Sequence, residues 1–221
     1  MSLTYTKAQR GAGQSNIRSV PKGRTRIAES FKSLLEEKDF NAITTAQISK
    51  KSGFNEALIY KYFGDKRGLL HQVLRDYLDD YVNQLEFELK EIKGTLDKLK
   101  KLIWSHINLF EEKRVLAKIL LLEVRNYPGY FESESYDQVK RYSRIIVKIL
   151  KDGVRTGELR KDIPIVSMRQ VLLGGVEHMC LPKIIYRRPF SPDALSYDLC
   201  AILLDGIVKR HSDGCKRTRK K

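Results

Sequence analysis

The sequence lacks the features that mark a membrane span or a disulfide-stabilised fold. Among its 221 residues no apolar run reaches the roughly 18 residues that a transmembrane helix needs. The N-terminus has no apolar signal-peptide region. The three cysteines, Cys180, Cys200 and Cys215, are scattered and form no CxxC pair. We therefore expect a cytoplasmic chain with no disulfide framework and no membrane partner.

The sequence also lacks the residue patterns of catalysis, metal binding and cofactor binding. It contains no recognisable carboxylate pair, Ser-His-Asp set or Gly-rich phosphate loop, and its four histidines share no metal-ligand spacing. Gly174 and Gly175 lie inside a helical pattern, where close helix packing explains them better than a nucleotide site. We expect no enzyme, no metal and no cofactor. An enzyme on a helical scaffold is an alternative that nothing supports beyond a presumed cavity.

Basic residues are abundant and lie mainly in the two ends of the chain. The sequence has 42 Lys and Arg against 27 Asp and Glu, a net charge of +15. Residues 1–71 carry 13 basic and 6 acidic side chains, residues 209–221 carry 7 and 1, and the middle carries 22 and 20. Such a distribution favours binding to a polyanion, either nucleic acid or an anionic membrane surface.

Apolar residues recur at helical spacing, without strand alternation or internal repeats, and this predicts an all-α chain. We divide it into a disordered basic arm (1–21), a three-helix helix-turn-helix DNA-binding domain (22–70), a helical ligand-binding and dimerisation domain (71–210) and a basic tail (211–221). The arm is either a solvated tail or a minor-groove ligand. The tail is either solvated or binds DNA or membrane weakly and without specificity.

Within the larger domain the periodicity predicts long helices over residues 67–91, 95–112, 135–156 and 191–210. The stretch RVLAKILLLEV is apolar on nearly every side, so we expect a central buried helix there. Another helix follows Pro164, and Pro182 is expected to bend or end it.

The stretch TTAQISKKSGFNEALIYKYFGDK, residues 44–66, holds two helices too short to be stable alone. Thr44 with Gln47 fits a capping box that opens the first helix, and Gly53 supplies the left-handed residue that ends it. Asn55 caps a second helix over residues 56–63, and Gly64 stops that helix. Packed on the preceding amphipathic helix, the pair forms a helix-turn-helix.

The second helix is expected to present a polar face to DNA. With Ile59 and Phe63 turned inward, the outward residues are Glu56, Ala57, Tyr60 and Lys61, and Leu58 lies at the flank. Tyr60 and Tyr62 offer hydroxyl donors, and Thr44 and Thr45 place a hydroxyl and backbone N–H groups at a helix N-terminus, where anions bind. Asp65 caps the following helix, which opens with Lys66.

At this point a family resemblance is specific. ITTAQISKKSGFNEALIYKYFGDKRGLL resembles the DNA-binding segment of TetR-family repressors over about residues 24–75. The residues in register are Thr44, Ile48, Gly53, Tyr60, Tyr62, Phe63 and Lys66. The departures are Ser49 and Ser52 in place of alanine, Phe54 in place of valine, Asn55 in place of serine, and Glu56 and Leu58 in place of lysine and threonine.

The resemblance implies roles for individual residues. Thr44, Tyr60, Tyr62 and Lys66 correspond to phosphate contacts. Asn55, Glu56, Ala57, Leu58 and Lys61 stand where the family contacts bases. The Glu56 carboxylate is able to accept a hydrogen bond from a cytosine amino group, and Leu58 is able to contact a thymine methyl group. These residues do not specify the operator sequence.

The resemblance further implies a ligand-responsive regulator, most simply a repressor. Such a protein is a homodimer built on the last two long helices, binds a near-palindromic double-stranded DNA operator and is released by a small effector. The stretches LLLEVRNYPGYF and GELRKDIP are similar to family members that respond to fatty acyl-CoA, which favours a lipophilic effector. Expected pocket residues are Trp104, His106, Phe110, Leu120, Glu123, Tyr127, Val147, Leu173, Glu177 and Met179. The alternative is a helical nucleoid- or membrane-associated protein whose basic ends bind without specificity.

Overall fold

The computed structural model describes residues 21–207, without the side chains of residues 205 and 207. The proposed arm, apart from Pro21, and the basic tail lie outside these residues. The described helices are α1 (Lys22–Glu37), α2 (Thr45–Ser52), α3 (Glu56–Phe63), α4 (Lys66–Glu91), α5 (Thr95–Glu112), α6 (Arg114–Lys118), α7 (Glu134–Thr156), α8 (Ile165–Ile185) and α9 (Pro192–Ile207). None of them combines the length and the apolar character needed to cross a membrane.

The side chains that were expected to start and stop the short helices do so. Thr44 Oγ1 accepts from the Gln47 N–H at 3.2 Å, and Gln47 Oε1 accepts from the Thr44 N–H at 3.1 Å, completing the capping box of α2. Gly53 ends α2 at φ 75°, a left-handed conformation that disfavours residues with a Cβ. Asn55 and Asp65 cap α3 and α4 by accepting from the N–H groups of Ala57 and Gly68.

Two apolar cores are joined by α4. The first, which we call the N-terminal core, packs α1 to α3 against the first half of α4, with Ile27, Phe31, Ile48 and Ile59 fully buried. The second, the C-terminal core, packs the rest of α4 against α5, α7, α8 and α9. Since α4 packs along α7 as well as under α3, it belongs to both cores.

The expectation of one buried helix over RVLAKILLLEV is wrong in form but correct in burial. We call residues 114–132 the connector. It starts with the five-residue α6, widens into a π-helical turn (Ile119–Glu123) and ends in 3-10 turns (Val124–Asn126 and Pro128–Glu132). Its apolar character on all sides has a structural reason, because the connector lies between the cores. Ala117 and Leu121 pack on the C-terminal core. The residues that pack on the N-terminal core are Leu116, Ile119, Leu120, Val124 and Tyr130.

Pro182 does not end α8, which continues to Ile185. A proline lacks the N–H that would bond to the carbonyl of residue 178, and it is tolerated here because both Pro182 and His178 are exposed to water. The last helix was expected to reach residue 210 and is described to Ile207.

Candidate nucleic-acid interface and effector chamber

The polar face of α3 stands clear of the N-terminal core. Ile59 is fully buried beneath it, whereas Tyr60 is 54% exposed. Lys61, Ala57 and Asn55 are exposed as well, and Glu56 and Leu58 are half-buried at its edges. A helix of eight residues, buried on one side and polar on the other, has the shape needed to enter a DNA major groove.

Tyr62 and Phe63 are less available than Tyr60. Both are half-buried and pack against the N-terminal core, with their rings in an edge-to-face arrangement at 6.2 Å. Phe63, which was expected to be turned inward, is therefore only partly buried. Tyr62 packs against the N-terminal core in addition to any role at the surface.

The turn between α2 and α3 is held by the two serines that depart from the family pattern. Ser49 Oγ donates to the Phe54 carbonyl at 2.7 Å, and Ser52 Oγ accepts from the Phe54 N–H at 3.3 Å. The Phe54 ring rests on Gly23 of α1, whose ideal Cβ position is 3.3 Å from Phe54 Cε1. Sequence reasoning missed Gly23, because nothing local marks the close approach of a ring 31 residues away.

Thr44 and Thr45 stand at the N-terminus of α2. Thr44 is exposed and Thr45 half-buried, and the N–H groups of Thr45 and Ala46 have no intrahelical acceptors, whereas the Gln47 N–H already donates to Thr44 Oγ1. The partial positive charge of this helix end suits a phosphate oxygen.

Lys66 is turned inward. Its Nζ donates to the carbonyl of Ile43 at 2.7 Å and to that of Phe40 at 3.0 Å, and it lies 4.3 Å from the centre of the Phe40 ring. Burial lowers the pKa of Lys66, and the neighbouring Arg67 lowers it further. Two of its three donors therefore tie the N-terminus of α4 to the backbone immediately before α2.

A cluster of polar side chains packed against one another interrupts the C-terminal core, and we call this packed cluster the chamber. It consists of Tyr81 from α4, His106 from α5 and Tyr142 from α7, with Phe110 stacked edge-on against His106 at 4.6 Å. The Tyr142 hydroxyl and His106 Nδ1 are hydrogen-bonded at 3.1 Å. The buried Tyr81 hydroxyl interacts with the Tyr142 hydroxyl, which contributes to the pKa shifts of both phenols, but it forms no well-aligned hydrogen bond within the described residues.

Burial dominates the titration of these groups. It lowers the pKa of His106 to about 4 and raises the pKa of Tyr142 and of Tyr81 above the usual value. At neutral pH the chamber therefore holds a neutral imidazole and two neutral phenols, which are suited to hydrogen bonding with a polar but uncharged group.

The ten expected pocket residues are only partly brought together. Besides His106 and Phe110, Leu173 and Met179 pack against the same core. Glu177 lies on α8 and forms a two-pronged ion pair with Arg125 of the connector, at 2.6 and 2.8 Å. This ion pair joins the connector to α8.

The other five expected pocket residues lie elsewhere. Trp104 Nε1 donates to Asp193 at 2.7 Å in a groove between α5 and α9. Glu123 is 3.9 Å from Arg67, and Arg67 lies 4.5 Å over the Tyr127 ring. Leu120 belongs to the N-terminal core and Val147 to an outer groove between α7 and α8. Tyr81 and Tyr142 were missed, although a tyrosine on an otherwise apolar helical stripe is the signal that points to them.

The outer face of α8 and α9 carries exposed apolar side chains. Val171 is 57% and Ile202 is 70% exposed, and Gly174 has open space around it. Tyr197 and Ile185 add to this surface. Exposed apolar side chains on two neighbouring helices are one of the features of protein–protein interaction surfaces.

Comparison with known proteins agrees with this architecture. Residues 32–73 match the family model described as "Bacterial regulatory proteins, tetR family", and residues 74–206 match "YsiA-like protein, C-terminal region". The fatty acid metabolism regulator protein of Bacillus subtilis (strain 168) is 23% identical over 181 residues, 82% of this chain and 93% of the relative. The repressor KstR2 of Mycolicibacterium smegmatis is 22% identical over 207 residues, 86% of this chain and 93% of the relative.

Solved structures share the fold. FadR from Bacillus subtilis, in complex with stearoyl-CoA, has a TM-score of 0.75 at 22% identity, covering 83% of this chain and 98% of that one. FadR from Bacillus halodurans has a TM-score of 0.76 at 19% identity, covering 87% and 100%. The named relatives are regulators, in agreement with the expectation that the chain is not an enzyme.

Proposed function

Since this chain belongs to the TetR family of bacterial regulatory proteins and is a DNA-binding transcriptional regulator, we propose that it is a homodimeric repressor released from its operator by a fatty acyl-CoA. The observation that carries the DNA-binding part is the capped α2–α3 unit, which exposes one polar helix face. A regulator that binds the chromosome works in the cytoplasm.

At the operator, α3 enters the major groove and α2 sits over the backbone. Thr44 and Thr45 bind a phosphate at the N-terminus of α2, and Tyr60 and Tyr62 donate their hydroxyls to phosphates. The base edges are contacted by Asn55, Glu56, Ala57, Leu58 and Lys61. Lys66 contributes to DNA binding indirectly. Its hydrogen bonds to the carbonyl groups of Phe40 and Ile43 hold α2 against α4.

The dimer forms through α8 and α9, whose exposed apolar residues support the assignment. Two copies packed this way give a four-helix interface of the apolar kind found in obligate dimers. Because the two recognition helices are then related by a two-fold axis, the operator is near-palindromic.

The effector is lipophilic and binds at the chamber. The buried Tyr81 hydroxyl has no well-aligned hydrogen bond, so a ligand that brings an acceptor would stabilise it. The thioester carbonyl of an acyl-CoA is such an acceptor, and the surrounding apolar core suits its acyl chain. The relative solved with stearoyl-CoA supports this class of ligand.

Release follows from a shift between two conformations. An effector that separates the helices around the chamber also moves the connector, since Arg125 is bound to Glu177 on α8. The connector in turn contributes apolar side chains to the N-terminal core. To move the dimer from almost fully bound to almost fully released, the effector must prefer the released conformation by about 5.5 kcal/mol.

The test is selection of bound duplexes from a random pool with the full-length protein, followed by anisotropy titrations of the selected duplex and of random DNA at equal salt. We expect at least about a thousandfold preference for the selected duplex, and release by stearoyl-CoA. Lys61→Ala is expected to change which duplex is preferred, whereas Tyr60→Phe weakens all duplexes alike. A preference of only a few-fold would support the nucleoid-associated alternative instead.

A further inference from the structure

Helix α7 has a basic outer face. Its inner face buries Tyr142, Ile146 and Leu150 in the C-terminal core. On the opposite side, cations recur at helical spacing over four turns. They are Lys140, Arg144, Lys148, Lys151 and Arg155. The first and last of these have acidic neighbours, since Lys140 pairs with Asp137 and Arg155 with Asp152.

The middle of this face borders a groove between α7 and α8, which we call the basic groove. It has a volume of about 400 Å³. Its lining residues are Ser143, Arg144, Val147, Lys148, Lys151, Asp152 and Arg169. Ser143 Oγ accepts from the Arg169 guanidinium at 3.2 Å, which holds this cation against α7.

The four cations of the basic groove share no acidic partner. Within residues 21–207, none of Arg144, Lys148, Lys151 and Arg169 forms an ion pair, although other cations of α7 do. Asp152, the one acidic residue that lines the groove, forms an ion pair with Arg155. Four like charges around one concave surface repel one another, and an anion bound between them would relieve this repulsion.

A helix dipole does not account for the arrangement. Cations are favoured only in the last turn of a helix, and Arg144 and Lys148 stand two or more turns before the end of α7 at Thr156. Arg169 lies just one turn from the start of α8 at Ile165, where the dipole disfavours a positive charge.

We infer that the basic groove binds the phosphate groups of the effector, so that the protein distinguishes an acyl-CoA from a free fatty acid. The inference rests on the acyl effector of the proposed function. The nucleotide end of coenzyme A carries a diphosphate and a ribose phosphate, which match the four cations in sign. The chamber lies on the inner side of the same helix, at Tyr142, and the flexible pantetheine arm joins the two ends of the ligand.

The experiment compares three ligands, namely stearoyl-CoA, stearoyl-pantetheine and stearate, as agents that release the selected operator from the full-length protein. The groove variant is Lys148→Glu/Lys151→Glu. The matched control is Lys93→Glu/Lys161→Glu, which makes the same change of charge at two exposed lysines outside the groove. Arg169→Gln is a milder groove variant, and thermal unfolding checks that all variants fold.

We expect the groove variant to need at least about tenfold more stearoyl-CoA for half-release than the control, since each lost phosphate contact weakens binding in a salt-dependent way. Half-release by stearoyl-pantetheine should be equal in the two variants, and so should operator affinity without ligand. Arg169→Gln should shift stearoyl-CoA release in the same direction by a smaller factor.

Other outcomes overturn the inference in distinguishable ways. If stearoyl-CoA releases the wild type but both variants respond alike, the groove assignment is wrong and the proposed function stands. If none of the three ligands releases the wild type, the acyl effector itself is wrong. If the groove variant alone loses affinity for operator, or for vesicles of phosphatidylglycerol, while its stearoyl-CoA response matches the control, the groove is a DNA or lipid surface.

Discussion

Replacing Lys66 by methionine separates two roles for this lysine. The family resemblance makes it a phosphate contact, whereas the structure directs its ammonium to the carbonyl groups of Ile43 and Phe40. Lys66→Met keeps the aliphatic stem and removes the charge and both hydrogen bonds. A matched change is Lys61→Met on α3, which neutralises an exposed lysine of the same helix-turn-helix unit.

The magnitude follows from the two hydrogen bonds. A hydrogen bond to a charged group contributes about 1.5–3 kcal/mol when buried, and this site is only half-buried, so water replaces part of the loss. We expect Lys66→Met to lower the free energy of unfolding by about 2 kcal/mol. With α2 no longer held against α4, operator affinity should fall about tenfold, equivalent to about 1.4 kcal/mol.

The deciding assay is operator affinity measured by anisotropy over a range of salt concentrations, together with denaturant unfolding. Each lost phosphate contact reduces the slope of log affinity against log salt by about 0.9. Although Lys61 is assigned to base edges, Lys61→Met removes one cation from the DNA-facing side of α3, so it is expected to reduce the slope and to leave the unfolding free energy unchanged. Lys66→Met is expected to do the reverse. A reduced slope with unchanged stability for Lys66→Met would refute the positioning role and restore the phosphate contact.

Three further predictions concern the core, the α3–α4 joint and the dimer. Because burial lowers the pKa of His106 to about 4, the unfolded chain takes up the extra proton first as pH falls from 6.5 towards 4. The free energy of unfolding of the wild type should therefore drop by about 3 kcal/mol across that window. Denaturant titrations of His106→Asn should lack most of this drop. If the variant shows the same drop as the wild type, the His106 imidazole is in contact with water. A Cβ at Gly68 would overlap the Phe63 carbonyl oxygen, so Gly68→Ala should cost about 1–3 kcal/mol of stability and weaken operator binding. If this variant unfolds at the same temperature as the wild type, the α3–α4 joint accommodates the extra methyl group without cost. Val171→Glu on the exposed face of α8 should yield monomers in sedimentation experiments, whereas Phe87→Glu, at an equally exposed site on α4, should not; dimers of Val171→Glu would move the interface elsewhere.

Much of the recognition unit was predictable because its determinants are local. The capping box of Thr44 and Gln47, the caps at Asn55 and Asp65 and the left-handed Gly53 act over at most three residues. The bounds of α3 and α5 matched the periodicity for the same reason. The assignment of individual side chains to phosphates and bases stays a prediction.

The chamber was predictable only in part. His106 and Phe110 were selected from one helix, but their partners Tyr142 and Tyr81 are supplied by other helices, and Tyr142 is 36 residues from His106. A helical pattern shows which residues of a segment face inward and does not show which segment they meet. For this reason Trp104 and Val147, which were expected in the pocket, line separate grooves.

The sequence by itself determined most of the long helices, the caps of α2, α3 and α4, the polar face of α3 and the family, because these depend on spacing and on contacts within a turn or two. Only the tertiary structure decided that the connector lies between two cores, that Lys66 holds α2 through carbonyl groups 23 and 26 residues away, and that four cations of α7 and α8 share one groove. The physical reason is that long-range packing depends on how amphipathic helices are placed against each other. Many different partners satisfy the same apolar stripe, so the stripe alone does not specify which one it meets.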